Sequence, residues 1–206
     1  MAKFTTLALM SLLAVTMAAQ AAPKVERLRG TIEAVEHGGF TLKTLEGKSE
    51  AVALPADAKV SWVIPASLDQ IKDGVFIGTA TKGQPPVALE VVLFPEAMRG
   101  TGEGHYDWDM IADHTAGGAR VKSAMTNGTV TASGGGAERT LTVDYGKGQS
   151  IQILVPPQAP VVSFAPADAS ALAPGARAFV LVAREDDGHL TARRVAVGKD
   201  GLTPPM

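Results

Sequence analysis

Gly30-Thr31-Ile32 opens a β-rich stretch that closes near Phe94, and Gly128-Thr129-Val130 opens another that closes near Gly198. The second copy begins 98 residues after the first. The offset is 101 at Leu54-Pro55 against Val155-Pro156 and at Gly74 against Gly175, and 104 where Ala88, Val91 and Leu93 answer Ala192, Val195 and Val197. Small steps of this kind are what loop insertions leave between shared strands, so the chain carries one small fold twice.

Each copy reads as a series of short strands. In the first, Arg27 to Val35 and Gly39 to Lys43 form a hairpin across His37-Gly38-Gly39, and further strands are expected at Glu50 to Leu54, Lys59 to Ile64, Val75 to Thr81 and Val87 to Phe94. Between the fourth and fifth, Ser67 and Gln70 have capping-box spacing and predict a helix of one or two turns ending at Gly74. The second copy repeats the plan, with Pro166 to Leu172 in place of that helix. Short strands at near-regular spacing, broken once by a small helix, predict an all-β protein of two tandem OB-like β-barrels. The units are residues 22–96 and 124–206, 75 and 83 residues long and within the size that folds alone. Trp62, Phe76, Phe94, Phe164 and Phe179 read as barrel core, and His37 and His189 as solvated turn residues.

Residues 1–21 read as a cleaved secretory signal. Lys3 supplies the positive end, Leu7 to Val15 a short apolar core, and Ala19-Gln20-Ala21 a small-x-small cleavage pattern. The apolar run falls short of the about 20 residues a bilayer span needs, and no later segment reaches it. The expectation is a periplasmic protein with no membrane span after signal cleavage. The chain has no cysteine, which removes disulfides, thiolate metal sites and a cysteine nucleophile together. A net charge of −2 lacks the basic footprint of a nucleic-acid binder, although OB folds commonly bind oligonucleotides. With 46% hydrophobic and 19% charged residues, the chain has the composition of a folded protein.

Between the copies lies residues 97–123, a connection with no counterpart in either unit and no clear periodicity. Loops this long are usually functional or disordered, and the aromatic content here argues against disorder. The connection holds Glu103, His105, Asp107, Asp109, Asp113 and His114, with Met98, Met110 and Met125 in it or at its rim. Alternate residues of an extended chain share a side, so His105, Asp107 and Asp109 could converge on a metal with His114 or Glu103 completing the set. Copper, favoured by the methionines, or another divalent metal such as zinc would suit such donors. The competing and preferred reading is that the segment binds the two barrels together, with Tyr106 and Trp108 as buried anchors and its carboxylates paired to Arg99 or Arg120. As a binding segment for a protein or a small ligand, its contact residues are Arg99, Tyr106 and Trp108.

The run Leu93-Phe94-Pro95-Glu96-Ala97-Met98-Arg99-Gly100-Thr101-Gly102-Glu103-Gly104-His105-Tyr106-Asp107-Trp108-Asp109 resembles the motif of an exported family of Gram-negative bacteria. Its members carry a signal peptide and two copies of a small β-barrel domain of unknown function, and some are labelled "metal ABC transporter permease". The resemblance implies the same two-barrel plan and a functional neighbourhood involving metals, while this sequence has no span of its own beyond the signal.

Catalytic motifs are lacking. Gly100-x-Gly102-x-Gly104 is neither a dinucleotide fingerprint nor a P-loop, and the chain has no Gly-x-Ser-x-Gly elbow and no His-Glu-x-x-His. The sequence therefore points to an exported, non-enzymatic binding or scaffold protein centred on residues 97–123, with a periplasmic metal-handling protein as the alternative.

Overall fold

A computed structural model describes residues 24–136 and 138–205. The signal read over residues 1–21 lies outside the described residues. Among them are thirteen strands and no α-helix. The strands are β1 (Lys24–Glu36), β2 (Gly39–Thr44), β3 (Ser49–Ala53), β4 (Lys59–Pro65), β5 (Phe76–Lys82), β6 (Val87–Leu93), β7 (Gly104–Ala112), β8 (Arg120–Gly135), β9 (Arg139–Asp144), β10 (Ser150–Val155), β11 (Val161–Pro166), β12 (Arg177–Arg184) and β13 (Leu190–Gly198). The all-β expectation holds, in one large sheet. The predicted helix is a single 3-10 turn, Leu68–Gln70, in which the Ser67 backbone N–H donates to Gln70 Oε1 at 2.8 Å. No helix among the described residues is long and apolar enough to cross a membrane.

The pairings correct the tandem arrangement of units 22–96 and 124–206. Strands β1, β2 and β3 pair in order, but β3 then runs parallel to β13, which pairs with β12, which returns to β1. The reciprocal circuit joins β8, β9 and β10 to β6 through Leu154 and Val87, then β6 to β5 and β5 back to β8. Each circuit takes three strands from one copy and two from the other. The first encloses Ile32, Leu42, Val180, Val182, Val195 and Val197, and the second Ile77, Val91, Val130, Leu141, Val143 and Ile153. The short 3-10 segments are exchanged as well. Ala171 and Leu172 pack into the first cluster, Ile71 into the second.

Equivalent local contacts recur across the exchange. Gly74 N–H donates to Val130 O and Gly175 N–H to Ile32 O, each at 2.8 Å. Register shifts fall at Ile32/Ala34 and at Val130/Ala132, and again at Ala80/Thr81 and at Leu181/Val182. The copies meet where β4 pairs antiparallel with β11, Val63 opposite Phe164, positions related by the repeat offset of 101.

A third path of pairing crosses that junction: β7–β8–β5–β6–β11–β4–β13–β12–β1. Its face carries a separate apolar cluster of Val63, Val92, Phe164, Phe179 and Ala196, against which Phe94, Trp108 and Leu181 pack. The sequence reading of Phe94, Phe164 and Phe179 as barrel core is corrected, since they lie in the core of neither circuit. They belong to the apolar layer between the two. Phe76 is buried and contacts Phe94 with ring centroids 5.5 Å apart, and Trp62 packs on the first cluster.

Candidate functional site

Part of residues 97–123 is regular strand, contrary to the expectation of an aperiodic connection. β7 pairs antiparallel with β8, His105 opposite Thr126 and Tyr106 opposite Met125, and the segment from Arg120 onward is already β8. The turn between them is tied by Asp113, which accepts from the backbone N–H and hydroxyl of Thr115 and is ion-paired to Lys82. Burial pushes the Asp113 carboxyl up, but the bonds from Lys82 and Thr115 outweigh it and hold it below the usual carboxylate range.

A register shift between Asp107 and Met110 breaks the alternation on which a metal site would depend. Tyr106 and Trp108 face the junction sheet, while His105 and Asp107 line a shallow polar depression with Lys82 and Lys122. Asp109 is turned across to β1. It accepts from Arg27 Nε and Nη2 at 2.9 and 2.8 Å and from Arg29 Nη1 at 2.8 Å. Its burial raises the pKa, and those arginine hydrogen bonds more than offset the rise, leaving it below the ordinary value. The His105 ring meets Thr126 Oγ1 at 2.9 Å and lies against Tyr145. His114 lines a different cavity, with Met110, Arg120 and the Pro204-Pro205 tail. The structure does not bring His105, Asp107, Asp109 and His114 together. Among the described residues no group of three or more histidine or carboxylate side chains is placed to hold a metal.

Of the three binding residues read from the sequence, the structure brings two together. Arg99 pairs with Glu96 and donates to Gly74 O at 2.9 Å, away from Tyr106 and Trp108. Nor are Tyr106 and Trp108 buried anchors between barrels. Tyr106 is 38% exposed and Trp108 half-buried, because both wall a cavity of about 310 Å³ on the junction sheet. Phe94, Phe164, Phe179, Leu181, Val92 and Ala196 supply its apolar lining, with Gly78, Met125 and Asn127 beside them. Asn127 Nδ2 donates to Gly102 O and to Tyr106 Oη, both at 2.9 Å, which fixes the phenol at the rim. Burial pushes the Tyr106 hydroxyl up, so the ring stays neutral.

Two edges of the third path, β7 and the first half of β1, face one another across this cavity. Among the described residues they share side-chain contacts and no backbone hydrogen bonds: the Asp109 bridge, and Arg27 stacked over Trp108 at 4.0 Å from the ring centroid. Arg27, Asn127 and Arg194 are site residues that the sequence did not point to. None lies in the non-repeating segment, and only the exchanged pairing carries β1 and β13 to it.

Comparison with protein-family models, with curated proteins and with solved structures gives no match to this chain. The geometry itself defines the class: an all-β protein with an apolar, aromatic cavity between two exchanged circuits of strands.

Proposed function

We propose that this protein is an exported, non-enzymatic binding protein that holds a small, largely apolar ligand between β7 and the junction sheet. In this reading each circuit is an OB-like barrel completed by strands of the other copy, and the ligand sits outside both. The observation that carries it is the cavity walled by Trp108, Tyr106, Phe94, Phe164 and Phe179, at the low end of the volumes typical of small-molecule sites. Its lining includes no histidine and no carboxylate, which supports binding over acid–base chemistry. The leader read over residues 1–21 supports export. A wall joined to β1 by side chains alone can part to admit a ligand without breaking a sheet ladder.

With Trp62 replaced by phenylalanine, Trp108 is the only indole and reports on the cavity. A neutral apolar probe such as 1-octanol is expected to change its emission saturably at one site per chain. Ala196→Phe places a ring in the space and should abolish the change. A Trp108 emission unmoved by the probe sinks the proposal. Separately, Trp108→Ala should cost about 3 kcal/mol, the low end for tryptophan truncation because the side chain is only half-buried. Chemical denaturation measures it.

A further inference from the structure

Within that binding reading, we propose that the cavity selects a small monocarboxylate with an apolar body, its head group received by Arg194. The lining contains two cations, Arg27 and Arg194, and no acidic residue. Arg27 is committed, with two nitrogens on Asp109 and its plane on Trp108. Arg194 is not. It is half-buried on β13 and, among the described residues, has neither hydrogen bond nor ion pair. Burial alone draws its pKa below the ordinary arginine value, with no carboxylate acting the other way. A half-buried guanidinium in apolar surroundings is normally paired.

The Trp108 ring supplies apolar wall rather than a donor, because its Nε1 is buried away from the open space. Arg194 lines the cavity, and a carboxylate has two oxygens with which to accept from its guanidinium. A neutral ligand would leave the guanidinium unpaired, and a cation would be repelled by it. A polyanion would have to shed its water against Phe94, Phe164, Phe179 and Leu181. The volume, about 310 Å³, admits roughly ten heavy atoms at about 30 Å³ each, the share of a water in the liquid.

The fold does not require an arginine at this position. The Ala80–Glu90 pair stands one step before the β5/β6 register shift, as Leu181–Arg194 stands before that of β12/β13. The repeat therefore places Glu90 in the position equivalent to Arg194. A position that holds a carboxyl in one copy and a guanidinium in the other is not set by the barrel, and in the second copy the side chain lines the cavity.

Titration calorimetry of the full chain with octanoate, 1-octanol and octylamine tests the selection. Octanoate should bind about tenfold or more tighter than octanol, as a charge-assisted hydrogen bond implies, and octylamine weakest. Arg194→Gln should bring octanoate down to the affinity of octanol while octanol is unchanged, and Arg194→Lys should keep most of the preference. Equal binding of octanoate and octanol by the native protein overturns the anion proposal and leaves the cavity reading standing. The same holds for an acid preference that survives Arg194→Gln. If none of the three binds, and the Trp108 emission does not respond to octanol, both fall together.

Discussion

Replacing Glu90 by glutamine is expected to raise stability by about 3 kcal/mol above pH 7 and to change it little at pH 4. Glu90 lies in the middle of β6, 1% exposed, and neither carboxyl oxygen has a hydrogen-bond partner. Burial pushes its pKa from 4.5 to about 7, against a smaller opposing pull from the Arg29 charge. Below pH 4.5 the group is protonated folded or unfolded and costs nothing extra. Between 4.5 and about 7 the folded chain keeps a proton that the unfolded chain has released, so stability declines as pH rises through that window. Above it the decline is complete, and each pH unit of the gap has removed about 1.4 kcal/mol. Glutamine has the same shape and no charge to bury. Urea midpoints at pH 4, 6 and 8 should slope for the native protein and flatten for Glu90→Gln. Parallel slopes would show that Glu90 is ionised and accommodated throughout.

Gly30→Ala and Gly128→Ala should each destabilise the protein by about 3 kcal/mol, the upper end for overpacking, and each should do so across the whole molecule. A Cβ on Gly30 would stand 2.0 Å from the Lys43 carbonyl oxygen, and one on Gly128 would stand 2.2 Å from that of Asp144. The obstacle is backbone of the paired strand, which cannot turn aside as a side chain can. Gly30 sits in the circuit closed by β12 and β13, and Gly128 in the one closed by β5 and β6. Strain at either site therefore loosens strands of both copies. Thermal unfolding should stay a single transition shifted downward, and the double variant should lose nearly the sum of the two effects, as distant sites do. Two separate transitions, with only one moved by each substitution, would mean that the copies unfold independently.

The candidate site was half legible. Tyr106 and Trp108 stood out because aromatic residues in a non-repeating, glycine-rich segment have to be accounted for. The carboxylates and histidines beside them drew a metal reading that failed on one local feature. The register shift after Asp107 sends Asp109 to Arg27 and Arg29, whereas His105 and Asp107 stay on the opposite side. Period-two reasoning holds only as far as the first bulge. Phe94, Phe164 and Phe179 look like core residues in sequence, and they are apolar and close-packed in the structure. What turns them into a cavity wall is the meeting of β4 with β11, a contact between distant parts of the chain.

The amino-acid sequence by itself determined the order of the strands outside residues 97–123 and the equivalence of the two copies. These depend on alternation and turn residues, which act over a few neighbouring positions. It did not determine which copy's strands complete which circuit. Because the copies are equivalent, β12 and β13 offer β1 the same kind of partners that β5 and β6 would, with matching bulges and matching hydrogen bonds at Gly74 and Gly175. Exchanged and unexchanged arrangements satisfy nearly the same local contacts, as in domain swapping generally. Only the long-range terms separate them, namely the β4–β11 pairing, the junction cluster and the Asp109 bridge. The tertiary structure decided that choice, and with it the cavity that Trp108 and Arg194 both line.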